Sequence, residues 1–354
     1  MGKSPLRSAG HPLGASRWQS ARLPLLIAAG LLLGLGAYLI KPWERFIVAA
    51  PQAREPVTFG LARESLAALA MVARDRGYFA DAGLDVTIKE YKSGQLALAG
   101  FLAGEAAIAT TADIPIAFES LLRQDFGIIA TIGSSDNEPR IIARKDLGVT
   151  EPADLRGKRI ATQRASAVHF FLHMFLLQNG MTADDVSVSF LKPDELGPAL
   201  ADGRIDAFSM REPYISQALK TLGERAVVFS KPGLYRKTFN VVAANDLLKT
   251  RPQVARQVLD AMLRAELYAL TAPQEAMAIV AKGLGAAPAE VAALWADASL
   301  KVSLDQSLLI SLEDEAQWIL SNKFSHVDQA PSYLSLLHLD SLKAVDPILV
   351  SVIH

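Results

Sequence analysis

From residue 57 to residue 244, short apolar runs rich in β-branched residues alternate with stretches in which apolar positions recur every three to four residues. That alternation predicts α/β units with mostly parallel sheets. A first series places strands at 57–61, 84–91, 106–111, 126–134 and 140–144, with helices at 66–76, 96–103 and 114–123. A second series places strands at 158–162, 186–191, 205–210, 226–229 and 239–244, with helices at 167–179, 193–201 and 213–222. Beyond residue 250 the pattern turns helical throughout, at 252–270, 273–282, 288–298 and 307–321. Each of these begins near a proline or serine suited to a first turn. Two α/β series followed by a helical tail predict two lobes, one of them carrying the extra helices.

The first fifty residues follow a different rule. Lys3, Arg7, Arg17 and Arg22 precede an uncharged run over residues 23–40, and no acidic residue stands before Glu44. Eighteen residues of helix span about 27 Å, close to the hydrocarbon thickness of a bilayer. A cleaved signal has a shorter apolar region, about 7–15 residues, with a small-x-small site behind it. Here Lys41-Pro42-Trp43-Glu44-Arg45 follows, and the small residues Ala49-Ala50 are spoiled by Pro51. The expectation is an uncleaved anchor at residues 23–40, with cleavage as the alternative. The excess of basic residues before the run places the N-terminus in the cytoplasm and exports the rest.

Composition narrows the classes. Of 354 residues, 51% are hydrophobic and 21% charged, enough apolar material for a large core and too much for a disordered chain. Thirty-six basic against 37 acidic residues provide no broad basic surface for nucleic acid. The absence of cysteine excludes disulfides, thiolate metal sites, cysteine nucleophiles and a lipidated cysteine. The sequence contains no P-loop, no G-x-S-x-G and no H-E-x-x-H. His169 and His173 share one helical face, but Phe170, Phe171, Met174 and Phe175 surround them and that helix has no acidic residue. A packing or pocket role therefore outweighs a metal site. No cofactor is expected.

What recurs is a strand running into small polar residues and then a helix. Leu61 leads to Glu64-Ser65, Tyr91 to Ser93-Gly94, and Ala109 through Thr111-Ala112 to Asp113. The strand at 126–134 ends on Ser134, Thr162 leads to Ser166 with His169 one turn on, and Met210 leads to Arg211-Glu212. In open α/β sheets such loops gather at the carboxyl ends of the strands, where ligands bind. Exposed backbone N–H groups at helix N-termini suit an anion or polar head. Ordinary N-capping accounts for any single loop, but less readily for a set along two series.

The order of motifs resembles the periplasmic binding proteins of sulfonate, taurine, nitrate and thiamine-precursor ABC importers. Gly77-Tyr78-Phe79 with Gly83-Leu84-Asp85-Val86 is similar to that family's early turn. Ser93-Gly94, Leu102-Ala103-Gly104, Asp113-Ile114-Pro115 and Asp154-Leu155-Arg156-Gly157-Lys158 follow in the family's order. Ser166 to His169, Gly203 with Asp206-Ala207, Glu212-Pro213-Tyr214, and the tail segments 302–308 and 340–345 complete it. The resemblance covers about residues 57–350.

That resemblance implies a two-lobe, type II-like fold with two crossover strands, near 140–144 and 239–244. Lobe 1 would then comprise 57–142 and 239–354, lobe 2 143–238, and residues 1–50 the cytoplasmic tail and anchor or signal. It implies no enzymatic activity, a small anionic solute bound between the lobes, and delivery to a permease and ATPase at the inner membrane. Two departures stand out: members often carry an aromatic where Arg211 stands, and the anchoring cysteine of lipid-linked members is missing. Arg211 is either a pocket cation or a solvated surface charge. A membrane-tethered sensor and a thiamine-pyrimidine-type enzyme are the rival readings.

Overall fold

The structure, a computed structural model, describes residues 54–353. The anchor or signal expected within residues 1–50 lies outside the described residues. Among the described residues, eleven strands form two sheets. The first six-stranded sheet begins with β1 (Glu55–Ala62), β2 (Leu84–Tyr91), β3 (Ile108–Ala112) and β4 (Phe126–Ser135). The chain then supplies a second sheet: β5 (Arg140–Arg144), β6 (Arg159–Thr162), β7 (Ser187–Phe190), β8 (Ala207–Met210) and β9 (Ala226–Phe229). It returns to the first with β10 (Lys237–Ala244) and the two-residue β11 (Ala298–Ser299). The six-stranded order is β11-β4-β10-β3-β1-β2, and the five-stranded order is β7-β6-β8-β5-β9.

The sheets are mixed, where mostly parallel ones were expected. β1 pairs parallel with β2 and β3, and β6 parallel with β7 and β8. The other pairings are antiparallel. The reason is topological. β5 and β10 each follow a passage between sheets, so they enter running against the strands that helical crossovers had laid parallel. The expected crossover strands at 140–144 and 239–244 each lie wholly within one sheet. The passages are the segments 136–139 and 230–236.

Burial explains the near-continuous apolar runs. Every residue of β3 and β4 is buried, as expected of central strands covered on both faces. On β5, Ile141 and Ala143 join the larger core while Ile142 joins a smaller one on the opposite face. Edge strands β2 and β7 are largely exposed or half-buried. The C-terminal helices Pro252–Thr271, Pro273–Leu284 and Gln306–Ser321 pack on the six-stranded side, the last against helix Asp113–Ser120. Among the described residues no single helix is long and apolar enough to cross a membrane.

Candidate functional site

The strands β1, β2, β3, β6 and β8 end where their loops can face the other sheet. Glu64 follows β1, Ser93 follows β2, Ala112 closes β3, Gln163 and Ser166 follow β6, and Arg211 follows β8. These residues converge on one cavity, also lined by Gln95, Pro115, Ala167, Val168 and Lys237. Its free volume is about 10 Å3, room for roughly a single water. The two sheets are therefore drawn together over the site.

At its centre is a buried four-charge network. Glu64 Oε2 lies 2.7 Å from Lys237 Nζ and 2.9 Å from Arg211 Nε. The Arg211 approach is an ion pair off the N–H axis rather than an aligned hydrogen bond. Glu64 Oε1 accepts the Gly94 backbone N–H at 2.6 Å. Lys237 also donates to Glu138, whose other oxygen accepts Ser65 Oγ at 2.8 Å. Arg211 Nη2 donates to the Lys92 carbonyl at 3.1 Å. Burial works against charge on Glu64, but Arg211 and Lys237 outweigh it and hold the carboxyl below its ordinary value. Burial likewise opposes the Lys237 ammonium, and Glu138 and Glu64 raise it above the usual lysine range.

Polar contacts close the cleft around this network. Gln163 Nε2 donates to Ser93 Oγ at 3.0 Å and also reaches Gln95. Gln95 Nε2 donates to the Arg164 carbonyl at 2.7 Å. Ser93 caps helix Gly94–Leu102 by accepting the Leu96 N–H. Gly94 must be glycine here: a Cβ would lie 2.9 Å from Ala112 N and 3.1 Å from Thr111 Cα. Ala165, just before Ser166, adopts φ 54°, a left-handed conformation uncommon for alanine.

The remaining expected site residues are spread more widely. Thr111 is buried within β3 beside the cavity-lining Ala112. Asp113 is buried against Tyr235, and accepts the backbone N–H groups of Thr238 and Ile114. Burial raises its carboxyl, and those bonds only partly offset this. Ser134 lines a separate depression of about 40 Å3, with Arg236, Lys301 and Ser303. Glu212 pairs loosely with Arg140, 3.8 Å away, and accepts the Ser216 N–H. Ser166 Oγ turns back to the Gln163 carbonyl.

His169 sits in an aromatic cluster with ring centroids 5.3 Å from Trp318, 5.1 Å from Phe190 and 5.2 Å from Phe324. Phe170 and His173 also reach Trp318, at 4.9 and 5.7 Å. Burial lowers the His169 ring to about 4, with His173 and Arg164 adding to the effect. Among the described residues no group of three or more His, Asp or Glu is arranged to hold a metal.

Lys237, Glu138, Gln95 and Gln163 were not foreseen. Lys237 opens an antiparallel strand, so it reaches the site only through the pairing of Phe239 with Ala112. The basic pair Arg236-Lys237 before the uncharged run Thr238–Ala244 was the one signal available. Glu138 lies in the passage between the sheets, which no periodicity marks.

Known proteins share both sequence and shape with this chain. The family described as NMT1/THI5 like matches residues 67–276. A putative aliphatic sulfonates-binding protein of Escherichia coli (strain K12) is 26% identical over 208 residues, 59% of this chain and 65% of that protein. A protein of the same description from Bacillus subtilis (strain 168) is 29% identical over 185 residues, covering 51% of this chain and 55% of its own length. The aligned part thus spans less than two thirds of these relatives. Among solved structures, the alkanesulfonate-binding protein SsuA from Xanthomonas axonopodis pv. citri bound to MOPS superposes with a TM-score of 0.69 at 20% identity. It covers 82% of this chain and 99% of that one.

Proposed function

The chain belongs to the NMT1/THI5-like family, and from that premise we propose that it is the solute-binding component of an ABC importer. It performs no chemistry. The two sheets act as the cores of two lobes, which close on a small anionic solute of the sulfonate, taurine or nitrate type. The expected boundaries near 142 and 238 move to the passages 136–139 and 230–236, because β5 and β10 each lie within one sheet. The loaded protein then presents both lobes to a permease with its ATPase, on the periplasmic side of the inner membrane, tethered by residues 23–40.

One observation carries this reading: a buried arginine from one sheet, and a helix N-terminus and a buried lysine from the other, converge on a single buried carboxylate, Glu64. Arg211 brings a guanidinium from the end of β8, and Gly94 and Lys237 bring donors from the six-stranded side. Such convergence in a cleft suits an anionic group. The hydroxyl and amide groups of Ser93, Gln95, Gln163 and Ser166 supply orientation for the rest of a solute. Calorimetric titration of the purified full chain with alkanesulfonates, taurine and nitrate tests the reading. Binding of one class unchanged, with no product formed, is the expected result; turnover, or silence across the panel, would refute it.

A further inference from the structure

We infer that Glu64 is a resident anion: its carboxylate fills the anion-holding position of the cleft, and an incoming anionic head binds by displacing it. The inference rests on the solute-capture reading of this same site. The donors around Glu64 are those an anion site would present, namely the N–H at the start of the nine-residue helix Gly94–Leu102, an ammonium and a guanidinium. All three surround one carboxylate, Gly94 and Lys237 as hydrogen-bond donors and Arg211 as an ion pair, and that carboxylate is itself 3% exposed. The remaining cavity has room for no second anion.

The two ends of this arrangement are unequal. Glu64 follows β1, Gly94 follows β2 and Lys237 opens β10, all on the six-stranded side, so two of its three partners stay with it when the cleft opens. Arg211 alone comes from the other sheet. Lys237 has a second carboxylate in Glu138, so it remains paired if Glu64 swings aside. The tethered carboxylate competes at an effective concentration of millimolar or more, far above that of most free solutes. Glu64 thereby determines specificity. A bare inorganic anion offers nothing beyond what Glu64 already supplies, whereas a solute that also engages Gln95, Gln163 and Ser166 can displace it.

The test uses inorganic sulfate as the probe, on the full chain, by calorimetry and by thermal unfolding with matched chloride. Glu64→Ala vacates both the charge and the space, and should bind sulfate at least tenfold tighter than wild type. Glu64→Gln removes the charge but keeps the volume, and should gain much less. The gain should vanish in the double variant Glu64→Ala/Arg211→Met. If Glu64→Ala is poorly folded, sulfate should raise its melting temperature by more than it raises that of wild type or the double variant, because ligand binding stabilises only the folded state. A Glu64→Ala protein that binds sulfate no better than wild type, or that sulfate does not stabilise, overturns the inference. So does weaker binding by Glu64→Ala of a sulfonate that wild type binds, which would make Glu64 a direct solute contact. That last result leaves the importer reading standing. Failure of wild type to bind any panel solute removes that reading and with it displacement by a solute, while a sulfate gain in Glu64→Ala still reports Glu64 as the resident anion.

Discussion

Two clasps span the cleft, and they are built from opposite materials. One is the charged network of Glu64, Arg211, Lys237 and Glu138. The other is the aromatic stack in which Trp318 and Phe324, from the helical tail, meet His169, Phe170 and His173 of helix Ala167–Gln178. In the charged clasp every partner is specific, and removing one leaves an uncompensated charge in a dry site. In the aromatic clasp, burial and ring geometry are spread over five rings, so a loss is graded. The lesson is a division of labour: the charged clasp responds to what enters the cleft, and the aromatic one sets how the halves meet when they are closed.

Lys237→Met should break the comparison most severely. It leaves buried Glu64 with Arg211 and strips buried Glu138 of its ammonium partner, and should cost about 3–5 kcal/mol of stability, read by denaturant unfolding. Trp318→Ala attacks the other clasp and should cost about 3 kcal/mol, without the loss of anion selectivity expected when the charged clasp is cut. Equal loss of selectivity in both variants would dissolve the distinction.

Acid sharpens it. The His169 ring is held neutral at about 4, below its ordinary 6.5, so the stability it contributes is present above pH 6.5 and is lost as pH falls toward 4. At most about 3 kcal/mol is at stake. His169→Phe should flatten the acid limb of a stability profile, and an unchanged limb would assign it elsewhere. Glu315, under the aromatic clasp, gives the opposite sign and a smaller effect. Both its oxygens lack hydrogen-bond partners, and burial, with Asp113 and Asp314 nearby, pushes its carboxyl well above the usual range. Its stability is therefore full in acid and declines as pH rises through that raised value. Glu315→Gln should stabilise the protein by about 1–2 kcal/mol at pH 8 and hardly at all at pH 4.

Local pattern carried the elements far, and pairing carried the rest. Strands at 84–91, 140–144 and 226–229 and the helix at 193–201 stand where the periodicity placed them, because each is bounded by Gly, Pro or charged residues and buries a consistent face. The loops after β1, β2, β3, β6 and β8 were legible as a set, and Glu64, Ser93, Ala112, Ser166 and Arg211 do line one cavity. Ser134 and Glu212 were not separable from them, since a strand end alone does not say which way its side chain turns. Lys237 was barely legible because its place depends on β10 running antiparallel into a sheet begun at Glu55, a consequence of register and not of composition, and Glu138 because it lies in the passage between the sheets. Arg211 was left open between a pocket cation and a solvated surface charge; it is buried beside Glu64, which had been placed among the ligand contacts and not as its counter-ion.

The central claim, that the halves close on a solute, can be read most directly by energy transfer between two labels. The chain has no cysteine of its own, so Lys220→Cys, on exposed helix Tyr214–Leu222, and Lys249→Cys, on helix Asn245–Thr250, place one dye on each half. Without solute the full chain should sample more than one transfer efficiency, with the clasps alone holding part of the population closed. Saturation with a solute that calorimetry shows to bind should collapse the distribution to a single closed value, and Arg211→Met should prevent the collapse. A distribution unchanged by a solute that demonstrably binds would contradict closure between the two sheets.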